Sequence, residues 1–111
     1  MTAPLRIASI GECLIELSAY DPAAERARIA IAGDTLNTAV SLKRLVGAEA
    51  EVSYVTALGT DRFSDEMIVQ MEAEDLDTSS ILRHPDRIPG LYAIELDPEG
   101  ERSFRYWRSE A

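Results

Sequence analysis

The feature that most restricts this chain is an alternation. Short apolar runs that stop at glycine alternate with segments whose apolar residues recur at helical spacing. Residues 5–11 (LRIASIG) have the make-up of a buried strand ending in a turn. Residues 13–18 (CLIELS) alternate apolar and polar, as a half-exposed strand does, and Pro22 closes them. Residues 27–33 (ARIAIAG) read as another strand, stopped at Gly33. Leu36, Ala39, Val40, Leu42, Leu45 and Val46 then form one broad helical face. Asp34 is the expected N-cap, since its carboxylate can accept from free backbone N–H groups two or three residues on. Gly47 is the expected stop. Residues 51–59 (EVSYVTALG) predict a strand ending at Gly59. Asp61 or Ser64 should cap a second helix over about 65–74, with Asp65 and Glu66 in the first turn, where the helix dipole favours negative charge. Residues 78–84 (TSSILRH) predict one more strand. Strand, helix, strand, helix, strand is the order of an α/β layered fold with parallel strands.

The remaining stretch has a different period. Residues 90–108 (GLYAIELDPEGERSFRYWR) are two alternating runs around Asp97-Pro98-Glu99-Gly100, which is turn chemistry and predicts a β-hairpin. The apolar faces select the register. Leu96 opposite Arg102 places Ile94 opposite Phe104 and Tyr92 opposite Tyr106. A one-residue slip would oppose Tyr92 to Arg105 and break the apolar face. The preferred register gathers Tyr92, Tyr106 and Arg108 at one end of one face, beside Gly90.

Size and charge narrow the partners. With 111 residues the chain suits one small domain, which buries roughly two-thirds of its unfolded surface. A net charge of -9 disfavours a grip on nucleic-acid phosphates. No run approaches the ~18 apolar residues of a membrane span. The first residues lack the basic, then apolar, pattern of a secretory leader. The single cysteine, Cys13, permits no internal disulfide and fits a reducing compartment. A cytoplasmic protein without nucleic-acid or membrane partners is therefore expected.

Two phenols and a guanidinium on one sheet face suit a small polyhydroxy acid. Rings pack on carbon, hydroxyls hydrogen-bond, and arginine forks onto a carboxylate. The same residues also suit a solvated hairpin whose aromatics only cover a core. Gly33-Asp34-Thr35-Leu36-Asn37 likewise has two readings. Asp34 caps the helix and Asn37 stands exposed, or Gly33 lets backbone approach a ligand and Asn37 offers it an amide from the first turn. Glu12 either meets a ligand or simply ends a strand. Neither G-x-G-x-x-G nor G-x-x-x-x-G-K-[ST] occurs. His84 has no second His or Cys at ligand spacing, so no metal site is expected. Cys13 reads as a strand residue without chemistry, and no catalytic residue is identified.

Taken together, IGECLIELS, AGDTLNTAVSLKRL, VTALGTDRFS and PGLYAIELDPEGERSFRYWRSEA resemble the ribokinase-like (PfkB) family of sugar kinases. The likeness runs over nearly the whole chain. Its last stretch is most similar to members acting on 2-keto-3-deoxygluconate. The resemblance implies an α/β, ribokinase-like fold: the N-terminal portion of a Rossmann-like αβα sandwich plus a small β-sheet lid. Lid strands would lie at about 13–19, 27–31 and 90–108, and core βαβ units at about 5–11 and 34–83. It implies transfer of the ATP γ-phosphate to the sugar acid with Mg²⁺ by a complete kinase. Gly33, Asp34 and Asn37 would form the sugar-facing helix start. Tyr92, Tyr106 and Arg108 would hold the acid from the lid, Arg108 near its carboxylate. The lid strands would also build a homo-oligomer. Two positions depart from the family pattern, Ala32 where Gly is usual and Ser64 where Gly is common. The family's Gly-Ala-Gly-Asp-type motif and its ATP pocket do not occur within these residues, so the resemblance implies substrate recognition without catalysis by this segment alone. A fructokinase-like enzyme, or a non-catalytic module that binds a sugar acid or assembles through its lid, are the alternative expectations.

Overall fold

A computed structural model describes residues 5–111. Strand β1 (Leu5–Ile10) pairs in parallel with β4 (Ala50–Val55), from Leu5 opposite Ala50 to Ile10 opposite Val55. Between them in the chain come β2 (Leu14–Asp21), β3 (Arg26–Ala32) and helix α1 (Asp34–Val46). The short β5 (Ala57–Leu58) pairs in parallel with β6 (Leu82–Arg83), with α2 (Arg62–Ala73) between them. Strands β7 (Gly90–Leu96) and β8 (Arg102–Trp107) form the hairpin.

The core lies between the parallel strands and the two helices. Val52 and Tyr54 alternate on one face of β4 and meet Leu36 and Ala39 of α1, Met67 and Met71 of α2, and Leu76. Burying a side chain such as Met67 or Met71 contributes roughly 1.5–3 kcal/mol each. Tyr54 keeps a partner for its hydroxyl, 2.9 Å from Thr35 Oγ1.

The second sheet has the order β3-β2-β7-β8. Strand β2 is antiparallel to β3 and parallel to β7, and β7 is antiparallel to β8. The hairpin register is the one the apolar faces select: Leu96 opposite Arg102, Ile94 opposite Phe104, Tyr92 opposite Tyr106. Asp97 closes the turn by accepting from the backbone N–H groups of Glu99 and Glu101, at 2.9 and 2.8 Å.

Several boundaries differ from expectation. Asp34 does not cap α1. Gly33 is the N-cap, without a side-chain hydrogen bond, and Asp34 is the first helical residue. The carbonyl of Gly33 accepts from Asn37 N–H at 2.8 Å, so the helix begins one residue before a cap at 34 would allow. At α2, Asp61 rather than Ser64 is the cap, and the helix starts at Arg62. The strand expected over 51–59 breaks after Val55. Its first part pairs with β1, and Ala57–Leu58 pairs with β6. The strand expected over 78–84 shrinks to Leu82–Arg83, because only two residues of β5 are there to pair with. Strand β2 runs on to Asp21, whose carboxylate accepts from Ala23 and Ala24 N–H in the turn to β3.

Candidate functional site

The site is built where the parallel strands end. In an open α/β sheet, ligands collect outside the carboxyl ends of the strands. Here α1 starts at that edge and is tied to it. Ser9 Oγ of β1 donates to the Thr35 carbonyl at 2.8 Å, and Thr35 Oγ1 meets the Tyr54 hydroxyl of β4. Close packing sets the approach: a Cβ at Gly33, whose φ is +150°, would lie 2.5 Å from the Glu12 carbonyl oxygen.

The four-stranded sheet stands over this helix start. Leu14, Tyr92, Phe104 and Tyr106 share one face by register. Together with Glu12, Gly33, Asp34, Thr35, Asn37 and Arg108 they line a cavity of about 510 Å³. All six residues singled out from the sequence, Gly33, Asp34, Asn37, Tyr92, Tyr106 and Arg108, therefore line one cleft. Glu12, left open between two readings, lines it too. Leu14, Thr35 and Phe104 were not expected. Phe104 could have been found from the hairpin register, which puts it beside Tyr106 and Tyr92. Thr35 carried no signal beyond its place after Asp34.

The aromatic wall is continuous. Ring centroids lie 5.8 Å apart for Tyr92 and Tyr106, 6.0 Å for Tyr92 and Phe104, and 6.4 Å for Phe104 and Tyr106. The Arg108 guanidinium sits 5.7 Å from the Tyr106 ring centroid, in cation–π range. It also pairs with the Glu12 carboxylate. The Tyr92 hydroxyl donates to Glu16, its register partner on β2. Burial first, then the Glu16 hydrogen bond and charge, push the Tyr92 phenol above its ordinary range. It stays protonated, and its one hydrogen is committed to Glu16. Toward a ligand the Tyr92 oxygen therefore accepts, which suits a hydroxyl or N–H donor.

Chemically the cleft offers an arginine at one end, hydroxyl and amide groups from Tyr92, Tyr106 and Asn37, and a carboxylate at Asp34. Among the described residues no group of three or more His, Cys, Asp or Glu comes together to hold a metal ion. The sequence holds no G-x-x-x-x-G-K-[ST] cradle for nucleotide phosphates. Among the described residues no helix is long and apolar enough to cross a membrane.

Two helices on parallel strands, with a cleft at the strand ends beneath a small second sheet, define a ribokinase-like α/β fold. A fructokinase from Xylella fastidiosa, solved with bound ATP, superimposes with a TM-score of 0.82 at 32% identity, over 96% of this chain and 31% of that one. The chain belongs to the family described as pfkB family carbohydrate kinase, whose model matches residues 5–111. It is 51% identical over 107 residues to the 2-dehydro-3-deoxygluconokinase of Escherichia coli K12, covering 96% of this chain and 34% of that protein. The enzyme of the same name from Dickeya dadantii is also 51% identical, over 95% of this chain and 33% of its own length. The chain spans about a third of the length of the curated relatives it matches.

Proposed function

We propose that this segment supplies substrate recognition to a kinase that transfers the ATP γ-phosphate to a hydroxyl of 2-keto-3-deoxygluconate. The observation that carries the reading is the convergence of Arg108, Tyr92 and Tyr106 from the hairpin on Gly33, Asp34 and Asn37 at the start of α1. The similarity to two 2-dehydro-3-deoxygluconokinases supports the choice of sugar acid. Arg108 takes the carboxylate, while Tyr92, Asn37 and Asp34 meet the hydroxyls. The four-stranded sheet acts as a lid, whose closure would keep water from the reacting phosphate. ATP supplies the phosphoryl group. ATP and Mg²⁺ are held by parts of the complete kinase beyond these residues, so the 111-residue chain alone is inactive. The setting is cytoplasmic, and the lid strands join copies into a homo-oligomer.

The test is Arg108→Ala in the complete protein. The apparent KM for the sugar acid should rise by roughly ten- to a hundredfold while that for ATP stays put, as expected when a substrate-positioning group is lost. Equal loss on both substrates would refute the carboxylate role. A fructokinase-like activity is the second reading, favoured by the fructokinase superposition. A neutral sugar gives Arg108 no carboxylate, so faster turnover of fructose than of the acid would select that reading instead.

A further inference from the structure

Arg108 lies one residue beyond the end of β8, so the ladder does not aim its side chain. Two groups do: the Tyr106 ring on one side and Glu12 on the other. Glu12 uses both carboxylate oxygens. Oε1 accepts from Nε at 3.4 Å, and Oε2 accepts from Nη2. The two residues stand 96 positions apart in the chain. Glu12 sits in the link between β1 and β2, whose start is anchored where Gly11 N–H donates to the Val55 carbonyl at 3.2 Å.

The packing around Glu12 comes from two glycines on separate elements. A Cβ at Gly33 would fall 2.5 Å from its carbonyl oxygen. A Cβ at Gly90 would fall 2.7 Å from its Oε1 and 3.3 Å from Arg108 Cγ. The start of α1 and the start of β7 are thus both cut back to admit this one residue and its ion pair. The pair forms a wall shared by two cavities. Glu12 and Arg108 line the cleft described above and also a second space of about 400 Å³ bounded by Gly59, His84 and Arg87.

A guanidinium has two edges that can each take a carboxylate side by side. We infer that Glu12 positions Arg108 for a ligand carboxylate, by holding the Nε–Nη2 edge and leaving the Nη1–Nη2 edge to the cleft. The inference rests on the reading of Arg108 as the carboxylate group and names the residue that makes it effective. Glu12 is a positioning residue and touches no reacting atom. The arginine is immobilised before ligand arrives, so less side-chain freedom is lost on binding.

The experiment is steady-state kinetics of the complete protein carrying Glu12→Gln, Arg108→Ala, and both. Glutamine keeps the size that Gly33 and Gly90 accommodate, removes the charge and exchanges one acceptor oxygen for an NH₂ that cannot accept from Arg108. Glu12→Gln alone should raise KM for the sugar acid by about tenfold, the scale of a misplaced positioning group, with kcat and the KM for ATP within about twofold. In the Arg108→Ala background it should add nothing further, because the group it aims is gone. An unchanged KM in Glu12→Gln, or full additivity in the double variant, would overturn the positioning role while Arg108→Ala still upheld the carboxylate reading. A lower KM would overturn it in favour of competition, with Glu12 occupying the ligand's place. An Arg108→Ala enzyme with normal KM would sink both.

Discussion

Gly33 and Cys13 sit side by side in space and show how narrowly single residues are specified here. Gly33 adopts φ +150° against the Glu12 carbonyl, so Gly33→Ala combines backbone strain with a collision. It should destabilise the fold by about 2 kcal/mol and lower the thermal midpoint measurably, as strained-site substitutions do. A midpoint equal to wild type would mean that the helix start shifts freely. Cys13 is 2% exposed, and burial, helped by the Glu12 charge, pushes its thiol up to about 12. The folded state therefore prefers the neutral thiol. Its contribution is fully present below the ordinary thiol value and is lost as pH climbs from there towards 12. A thiol reagent at pH 8 should modify the chain only after denaturant is added. Rapid labelling of the native protein would contradict the burial of this strand end.

At the scale of elements, α2 depends on one cap. Asp61 accepts from Ser64 N–H at 3.1 Å and from Ser64 Oγ at 2.7 Å, and Ser64 Oγ in turn accepts from Gly59 N–H at 3.0 Å. Partial burial raises the Asp61 value, but these bonds, with the Phe63 N–H, outweigh it and hold the carboxyl below its usual range. Asp61→Ala should cost about 1 kcal/mol. The wild-type advantage should be present above the ordinary carboxylate value and vanish as pH falls through the depressed one. Chemical denaturation of both proteins at neutral and acidic pH checks this, and a difference that persists in acid would argue against the cap. The sequence made the existence of this helix legible but left its cap open between Asp61 and Ser64, because either side chain can accept from a free first-turn N–H. The structure starts the helix at Arg62. The hairpin was legible too: only one register keeps Tyr92, Ile94, Phe104 and Tyr106 on a common face. The start of α1 was misjudged by one residue. Asp34 has the chemistry of a cap, but the position went to Gly33 because Glu12, far away in sequence, needs the room. The break at Thr56 was invisible too, since Thr56 suits a strand as well as its neighbours do while the pairing partner changes from β1 to β6. The cleft residues could be named, but the Glu12–Arg108 pair could not, because no local pattern joins positions 96 residues apart.

The molecule as a whole is elongated, with extents of 59 × 34 × 21 Å and a radius of gyration of 16.0 Å, against about 13 Å for a compact domain of this length. The excess is the four-stranded sheet projecting from the helical body. Its face away from the cleft carries Ile29 and Trp107, 59% and 60% exposed, in register with Leu17 and Leu91. On the body, Leu5 and Ile10 of β1 are 64% and 70% exposed. Apolar surface of this kind seeks a cover. The 111-residue chain produced by itself should therefore bind a hydrophobic dye and sediment as more than a monomer, and Ile29→Glu with Trp107→Glu should reduce its association. A dye-silent monomer would remove the argument for assembly through this sheet. The parallel pairing of β2 with β7 has a consequence in time as well as space. Leu14 waits for Gly90, and Glu12 waits for Arg108, so a ribosome must deliver nearly the whole segment before either bond can form. Contacts so distant in sequence close late. Among these residues the cleft closes late, and a product that stops short of β8 lacks Phe104, Tyr106 and Arg108 from its wall.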